Sequence, residues 1–465
     1  MDGTDRETRR ASARFAEMSM EISATTANPI KASNRGFADT IARRFILLAL
    51  WGFVVVAVFT FAMFLKKNDR AAREDFAVYY LEAEGLRQNV NPYATSFVQT
   101  ARAEGLNTRD IGHGSDPPTF LVFLIEPLTL LPLWTAYWIW QAANLICLIT
   151  ALVLLIGPES GLASSFAWTF AVLAAFYPPI ASHFWFGQSK LPVLLLLVLT
   201  MRCLERRRDR LGGIILALAV LLRIFPLVMA GYLVLQRRWR TLAFAFLGLV
   251  IGGGITVAVC GLSNCTSFFE SASGLVNDSV AGINRDISLY FFVSRNLAGV
   301  SRHLGLRFEF FRQALVYTID LTVLAATARA TLMHPPNEDP DSRLFSLWVA
   351  ASIFLLPVAW DYDLTLMLIP FGLIAIAAVR GEASRRTSTM AVISYVTLVW
   401  WEFVAHSANE GGFYSMLAAY LAAYWFATDQ PGRTVCPIWS LPAQLWRRIV
   451  PTAYATERVP VIAPV

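Results

Sequence analysis

Asp75 carries the side chain with the clearest chemical use in this sequence. It lies in the segment EDFAVYY, residues 74–80, just after the first long apolar run. A carboxylate within hydrogen-bond reach of a hydroxyl group can accept its proton as the oxygen attacks an electrophilic carbon, so Asp75 is a candidate general base. The alternative is a charge at a helix N-terminus that faces water and interacts with the helix dipole. The spacing alone leaves both interpretations open.

The segment around Asp75 is predicted to be a helix at the membrane surface, over residues 74–87. In such a helix the 3.6-residue period places Asp75, Tyr79 and Glu82 on one face and Phe76 on another. The carboxylates would then point away from the lipid, as a base that acts on a polar substrate requires.

A second candidate is Arg223, which stands among apolar residues in the segment LLRIFP. A guanidinium group in such a segment is costly unless it faces an anion or a wet cavity, and its planar donors suit the oxygen atoms of a phosphate. Arg223 is therefore a candidate ligand of a lipid phosphate. The alternatives are an ion pair with a buried carboxylate, such as Glu126 or Asp320, and a side chain that reaches the membrane surface.

Four further polar residues stand near the ends of apolar segments. Gln188 could hydrogen-bond a sugar or phosphate oxygen or cap a helix, and Lys190 could add positive charge beside it. Asp361 and Asp363, in the turn WDYD, could bind sugar hydroxyls or an ion, or they could form a solvated turn. The cysteine spacing predicts no metal site, and whether a metal is needed stays open.

The composition indicates which kind of structural element must position these residues. The chain has 465 residues, of which 56% are hydrophobic and 15% charged, with a mean hydropathy of +0.51. Its apolar residues come in runs of about the length that spans a bilayer. The sequence therefore predicts an all-α polytopic membrane protein. The net charge of +6 comes from basic residues in short loops, which indicates topology rather than a nucleic-acid partner.

The distribution of basic residues predicts the topology. Residues 1–44 are a predicted disordered tail in the cytoplasm, residues 45–428 form a membrane domain of about ten to twelve segments, and residues 429–465 form a cytoplasmic tail. Loops 66–116 and 262–310 are predicted to face outwards. The first span runs from Phe45 to Leu65, and later spans are predicted at 241–261, 311–333, 344–360, 364–380, 388–406 and 413–428.

The middle of the chain conflicts with this simple order. Four apolar segments separate the first outer loop from the basic cluster at 206–210, which would leave that cluster outside. The short, proline-bounded segment 117–133 is the candidate for a partial span that resolves the conflict. Segment 211–236 has basic residues at both ends and Pro226 within it, so it is predicted to be a broken hairpin of two half-helices.

The signatures of common soluble enzymes are absent from the sequence. It has no nucleotide-binding glycine loop, no HxxxH pair, no serine elbow and no Walker motif of an ATP-driven pump. His183 and His406 each stand alone near the end of an apolar segment and are interpreted as interfacial residues. Cys260 and Cys265 are close enough in sequence to form a bridge outside.

An ordered set of short motifs resembles a known family. The set comprises Asp75-Phe76, Tyr79-Tyr80, Asn91-Pro92-Tyr93, Pro117-Pro118, Glu126-Pro127-Leu128, Leu131-Pro132, Gly187-Gln188 and the segment from Gly212 to Arg240. Each motif alone is short, but their order over roughly residues 45–380 resembles glycosyltransferase family 87. The members of that family are polyprenol-phosphate-mannose-dependent mannosyltransferases.

The resemblance implies a fold and a reaction. The fold is the multispanning GT-C helical bundle, with short helices in the outer loop after the first span. The reaction moves a sugar, most characteristically mannose, from a polyprenyl-phosphate donor to a hydroxyl of a glycan or glycolipid acceptor, with inversion and no cofactor beyond the donor. Asp75 is the expected base, and Arg223, Gln188 and Lys190 are the expected phosphate ligands. The expected sugar or acceptor contacts are Tyr79, Tyr80, Asn91, Tyr93, Asp361 and Asp363.

Two departures from the family pattern leave the substrate open. Arg223 stands where relatives often have lysine, which keeps the charge but replaces a point ammonium with a planar fork. The turn at 360–363 has no histidine, where relatives tend to carry one, so another hexose or a pentose such as arabinofuranose remains possible. The alternative class is a transporter or flippase for a lipid-linked sugar. In both cases the expected location is the bacterial inner membrane among its lipids, with the site on the periplasmic or outer face.

Overall fold

The apolar runs of the sequence fold into helices. A computed structural model describes residues 74–93, 97–103, 117–156, 170–171, 173–174, 176–278, 286–297, 306–334, 342–404 and 410–429. All of them belong to one compact unit, Val56–Pro437. Within them the strand-like pairing is limited to one antiparallel bridge between Asp286 and Trp360, so the predicted all-α class is confirmed. The predicted tails before residue 45 and after residue 429, the first span and His406 lie outside the described residues.

The described α-helices are numbered α1 to α16 in chain order. They are α1 (Glu74–Arg87), α2 (Val98–Ala103), α3 (Thr119–Ile125), α4 (Leu133–Ile156), α5 (Pro178–Phe186), α6 (Lys190–Glu205), α7 (Asp209–Leu222), α8 (Met229–Leu235), α9 (Trp239–Cys260), α10 (Leu262–Asp278), α11 (Leu289–Asn296), α12 (Leu306–Leu332), α13 (Ser342–Phe354), α14 (Leu368–Arg380), α15 (Arg385–Val404) and α16 (Glu410–Thr428). Short 3-10 helices lie at Glu126–Leu130, Phe225–Val228 and Asp361–Met367.

Several helices carry an apolar surface that suits lipid. Among the described residues, four helical stretches are long and apolar enough to cross a membrane, namely Leu133–Ile156, Trp239–Cys260, Phe310–Leu332 and Asp361–Arg380. In α9 the side chains of Phe246, Val250 and Val259 are more than half exposed. Such a face would be unfavourable in water but is stable against lipid tails. The predicted polytopic membrane class is therefore confirmed.

The segment 117–133 does not cross the bundle. α3 has seven residues and ends at Glu126, where Pro127 follows and a five-residue 3-10 helix begins. At about 1.5 Å per residue this stretch is much shorter than the roughly 30 Å hydrocarbon core. Both of its ends contact the first outer loop, because Tyr93 donates to the carbonyl of Pro117 at 2.9 Å and Tyr80 donates to that of Leu131 at 2.8 Å. Both ends thus lie against the first outer loop, and the partial span stays a prediction.

Two long helices, α4 and α6, lie between the first outer loop and the basic cluster at 206–210 in the chain. Asn144 Nδ2 of α4 donates to the carbonyl of Gln188 at 3.2 Å, and Arg202 Nε of α6 donates to that of Leu154 at 2.8 Å. These bonds show that α4 and α6 run parallel. The basic cluster follows the C-terminal end of α6 and therefore lies at the end of the bundle opposite Gln188.

Segment 211–236 forms the predicted broken hairpin. α7 ends at Leu222, Arg223 is extended with φ −152° and ψ 131°, and the chain turns through Phe225–Val228 into α8. Asp209, before the hairpin, accepts a hydrogen bond from Thr241, after it, at 3.1 Å. Both ends of the hairpin therefore lie together, and its tip, with Arg223, lies at the opposite end of the bundle.

The C-terminal helices coincide with predicted spans except at α13. α13 has thirteen residues instead of the predicted 344–360, and every residue from Leu344 to Phe354 is buried. Protein rather than lipid surrounds this helix, so its length need not match the bilayer. Cys260 and Cys265 are both free thiols, so the suggested bridge is wrong.

Candidate active site

α1 brings Asp75 to the tip of the hairpin. The helix predicted over 74–87 is observed, but it is buried on both faces instead of lying at a membrane surface. Phe76 and Tyr79 are 0% exposed and Glu82 is 3% exposed, and the Phe76 ring packs edge-on against Tyr137 at 5.7 Å. Asp75 is half-buried at the start of the helix. Protein packing, rather than a lipid–water boundary, therefore fixes its direction.

The loop after α5 meets α1 at a glycine. Gly187 ends α5 with φ +69°, a left-handed conformation that favours glycine. A Cβ at this position would lie 2.7 Å from the Cβ of Phe76. The absence of a side chain lets α1 approach the loop that carries Gln188, Ser189 and Lys190.

Two polar residues of α4 hold this loop in place. Trp140 Nε1 donates to the carbonyl of Gly187 at 2.8 Å, and Asn144 Nδ2 donates to that of Gln188 at 3.2 Å. Neither residue was among the predicted site residues. For Asn144 the signal in the sequence is a polar amide in an apolar membrane segment, which is costly without a defined partner.

His183 also holds the loop that carries Gln188, Ser189 and Lys190. Its backbone carbonyl accepts from the N–H of Gln188 at 3.1 Å, and its Nε2 accepts from the N–H of Leu191 at 3.1 Å. The side chain is 0% exposed, so the interpretation of His183 as an interfacial residue is wrong. It is a positioning residue for Gln188.

A hydrogen-bond network joins the predicted base to the predicted phosphate ligand. Gln188 Nε2 donates to Asp75 Oδ2, and Gln188 Oε1 accepts from Tyr79 at 2.7 Å and from Arg223 at 2.9 Å. The Arg223 guanidinium also donates from Nε to Ser189 Oγ at 2.9 Å and from Nη2 to the Tyr79 hydroxyl. Four residues that are scattered over the sequence as predicted site residues, Asp75, Tyr79, Gln188 and Arg223, thus lie in one cluster.

Arg223 is bound by neutral groups. Its hydrogen-bond acceptors are the oxygens of Ser189, Tyr79 and Gln188, and no carboxylate among the described residues forms an ion pair with it. The alternative of an ion pair with Glu126 or Asp320 is therefore wrong. A guanidinium held by neutral oxygens keeps its charge available to an anionic ligand.

Lys190 differs from Arg223 because a carboxylate balances its charge. Its Nζ forms an ion pair with Asp363 Oδ1 and lies 5.2 Å from the centroid of the Phe225 ring. The other oxygen of Asp363 accepts from the backbone N–H of Trp360 at 2.9 Å. Lys190 thus lies beside the cluster, and the geometry assigns it a structural partner rather than an open ligand position.

Asp361 and Asp363 form part of the bundle interior. They are 3% and 1% exposed, respectively, so the alternative of a solvated turn is wrong. Asp361 Oδ2 accepts from Ser182 Oγ at 2.7 Å, and its Oδ1 accepts from the N–H of Tyr362 at 2.9 Å. These bonds attach the turn to α5, so the predicted sugar contacts of the two carboxylates remain predictions.

Three other predicted residues make contacts elsewhere. Tyr80 and Tyr93 bind the two ends of segment 117–133, as described above, and Asn91 Nδ2 donates to Ser267 Oγ of α10 at 2.9 Å. These bonds connect the outer segments with each other. The predicted role of the three side chains in acceptor binding stays a prediction.

The accessible surface of the cluster belongs to its two charged members. Asp75 and Arg223 are half-buried, whereas Tyr79, Gln188 and Ser189 are 0% exposed. A molecule that binds at this surface meets a carboxylate and a guanidinium that a buried amide holds in place. Among the described residues, no group of three His, Cys, Asp or Glu side chains lies close enough to hold a metal ion.

Comparison with known proteins agrees with this arrangement of motifs. The chain is similar to a polyprenol-phosphate-mannose-dependent alpha-(1-2)-phosphatidylinositol mannoside mannosyltransferase of Mycolicibacterium smegmatis. The two sequences are 25% identical over 272 residues, and the matched region covers 56% of this chain and 59% of that protein. The match therefore spans less than two thirds of the relative. Residues 116–359, slightly more than half of the chain, match the profile of one family of sugar-transferring enzymes. On that match, the chain belongs to glycosyltransferase family 87.

Proposed function

We propose that this protein transfers a sugar, mannose, from a polyprenyl-phosphate donor to a hydroxyl group of a glycan or glycolipid acceptor. The reaction takes place at the membrane surface on the side of the first outer loop, which is the periplasmic or outer face under the positive-inside rule. Family membership supports the enzyme class, and the name of the mycobacterial relative supports the donor and the sugar.

The observation that carries the proposal is the pairing of Asp75 with Arg223. They are the half-buried charged members of an otherwise buried network, and one side chain, Gln188, connects them. A transfer from a lipid phosphate needs one group that removes a proton and one that stabilises the departing phosphate. The cluster provides one residue of each kind.

In the proposed step the acceptor oxygen attacks the anomeric carbon of the donor. The acceptor proton passes to the Asp75 carboxylate, a new carbon–oxygen bond forms, and the bond between the anomeric carbon and the phosphate oxygen breaks. The electron pair of that bond leaves with the polyprenyl phosphate, whose negative charge increases as it departs. Arg223 stabilises this charge with donors that are already oriented by Tyr79, Ser189 and Gln188, so little reorganisation is needed.

Attack from the side opposite the phosphate inverts the configuration of the anomeric carbon. A β-linked donor then gives an α-linked product. No nucleotide takes part in this step, which agrees with a sequence that has no nucleotide-binding motif.

The proposal is tested by measuring free polyprenyl phosphate. The full chain is purified in detergent and incubated with polyprenyl-phosphate mannose and a phosphatidylinositol mannoside acceptor, and lipid products are separated by chromatography. We expect acceptor-dependent release of polyprenyl phosphate together with a longer glycolipid, and formation of both products about a hundredfold to ten-thousandfold more slowly by the Asp75→Asn variant. A protein that moves the donor across vesicles without releasing phosphate would be a flippase, and the proposal would be wrong.

A further inference from the structure

A surface rich in arginine lies at the end of the bundle opposite Asp75. Two sequence segments form it, RRRDR at 206–210 and RRWR at 237–240. The basic surface is defined by Arg206, Arg207, Arg208, Arg210, Arg237, Arg238 and Arg240, of which all except the half-buried Arg238 are exposed. The proposed reaction at the other end uses none of these residues.

The two segments have the same backbone structure. Arg207 and Arg237 both adopt left-handed conformations, with φ of 54° and 53°. Matching hydrogen bonds close each turn, from Arg207 N to Leu204 O at 3.0 Å, Arg208 N to Cys203 O at 2.7 Å, Arg237 N to Val234 O at 3.0 Å and Arg238 N to Leu233 O at 2.8 Å. Glycine is the usual residue at this position of a helix C-terminus. Arginine at this position strains the backbone in both turns. The length and charge of the two side chains are therefore the reason to look for a ligand.

Close helix packing places the two turns side by side. α7 and α9 run parallel, and at Gly213 an added Cβ would lie 2.3 Å from the carbonyl oxygen of Thr241. Asp209 lies between the turns, where it accepts from Thr241 Oγ1 at 3.1 Å and approaches Arg238 at 4.0 Å. The arginines of both segments therefore form one surface.

Some arginines of this surface are not balanced by a carboxylate among the described residues. Glu205 pairs with Arg202 at 2.6 Å, and Asp209 pairs with Arg238. Among the described residues, Arg208, Arg237 and Arg240 have no ion pair with a carboxylate.

The basic surface lies at the level expected for lipid headgroups. Trp239, within the second segment, is 57% exposed, and exposed apolar side chains begin within about two turns, at Leu211 (44%) and Phe246 (68%). A tryptophan next to lipid-facing aliphatic residues is typical of the membrane–water interface. At that level we expect phosphate groups of the bilayer to be the anions within reach of these arginines.

We propose that the basic surface is a binding site for the headgroup of an anionic phospholipid, in which arginines of the two matching turns contact one phosphate together. Bidentate donors suit phosphate oxygens better than ammonium groups do. A simple requirement for positive charge in cytoplasmic loops would be met without strained arginines and without bringing the two loops together. The site is independent of the proposed sugar transfer.

The test replaces the two arginines that have a positive φ, Arg207 and Arg237, by glycine. Arg207→Gly and Arg237→Gly put glycine where the backbone prefers it, so we expect the full chain to melt at the same or a higher temperature. Binding of phosphatidylglycerol, measured by native mass spectrometry of the purified protein, should weaken by about fivefold for each variant and about thirtyfold for both together. Arg87→Gln with Arg102→Gln, in the first outer loop, removes the same charge and should leave binding unchanged.

Three other results would overturn the proposal. Phosphatidylcholine with the same acyl chains could bind as tightly as phosphatidylglycerol, which would assign the interaction to the apolar surface. Glycerol phosphate at the same concentration as phosphatidylglycerol could displace the lipid, which would mean that the site binds a free phosphate. The outer-loop variant could weaken lipid binding as much as the double glycine variant, which would mean that net charge and not this surface controls it.

Discussion

Gln188 links Asp75 to Arg223, since its amide nitrogen donates to the carboxylate and its amide oxygen accepts from the guanidinium at 2.9 Å. The orientation of the amide is fixed because Tyr79 also donates to that oxygen at 2.7 Å. A phosphate that binds Arg223 competes with the same amide oxygen. The network thus offers a physical connection between donor binding and the hydrogen bonding of the proposed base.

The first prediction concerns Asp75. Asp75→Asn keeps the size of the side chain but cannot take up a proton, so we expect kcat to fall by about a hundredfold to ten-thousandfold while donor affinity barely changes. Steady-state kinetics with donor titration measures both quantities. Glu84→Gln is the matched control, because Glu84 lies on the same helix and is partly exposed, whereas Glu82 is buried. Near-normal turnover in Asp75→Asn would assign the base to another residue.

The second prediction concerns Arg223. Arg223→Lys keeps a positive charge but loses the planar fork, so we expect partial activity, and Arg223→Met should lose donor binding because no cation remains. Both variants should be purified as folded protein, since the partners of Arg223 are neutral and a missing guanidinium leaves no carboxylate unpaired in direct contact. Donor affinity equal to that of the unmodified protein in Arg223→Met would make the residue structural.

The third prediction concerns Gln188. Gln188→Met keeps the length of the side chain but removes the donor to Asp75, and a lost hydrogen bond to a carboxylate favours its protonated form. We expect kcat to fall and the acid limb of its pH profile to move to higher pH. Gln141→Met makes the same chemical change on α4, where the amide donates to the carbonyl of Phe184, and should leave the profile in place. An unshifted profile in Gln188→Met would separate the amide from the base.

Local sequence features predicted the parts of the site that depend on one segment. The interruption of segment 211–236 follows from Pro226, and the position of Arg223 at the tip follows from basic residues at both ends of that segment. Asp75 and Gln188 were predicted as site residues because they belong to short motifs whose order resembles one family.

The unpredicted features depend on contacts between distant segments. The sequence left Asp361 and Asp363 open between sugar contacts and a solvated turn, because their partners, Ser182 and Lys190, come from other helices. The role of His183 depends on a backbone N–H in the next helix. Hydrophobic periodicity describes how a helix is oriented towards lipid or protein, and it carries no information about which polar group will lie opposite a given side chain.

The fourth prediction concerns topology. In a protein whose native cysteines are replaced, Thr100→Cys should react with an impermeant thiol reagent added outside intact cells, and Arg385→Cys should react after the membrane is opened. Both positions are exposed. Labelling in the reverse order would move Asp75 to the cytoplasmic side and would contradict the proposed donor side.

The last prediction concerns Asp286, which connects the second outer loop to the turn at Trp360. Its Oδ1 accepts from the N–H groups of Ser288 at 2.8 Å and Ala359 at 3.3 Å, and its Oδ2 has no hydrogen-bond partner among the described residues. Burial raises the pKa of Asp286 to about 6, although these hydrogen bonds act in the opposite direction. The folded protein therefore binds this proton more tightly than the unfolded chain, where the pKa is about 3.9.

Because the pKa is raised on folding, protonation of Asp286 stabilises the protein, and this contribution is lost as the pH rises from about 4 to about 6. Asp286→Asn carries no charge at any pH, so its melting temperature should match that of the unmodified protein near pH 4. Above about pH 6 it should be higher, by an amount equivalent to about 1–3 kcal/mol in the free energy of unfolding. Glu270→Gln, an exposed carboxylate on α10, should show no such difference. A melting-temperature difference for Asp286→Asn that is the same at pH 4 and pH 7 would mean that the charge of Asp286 does not contribute to stability.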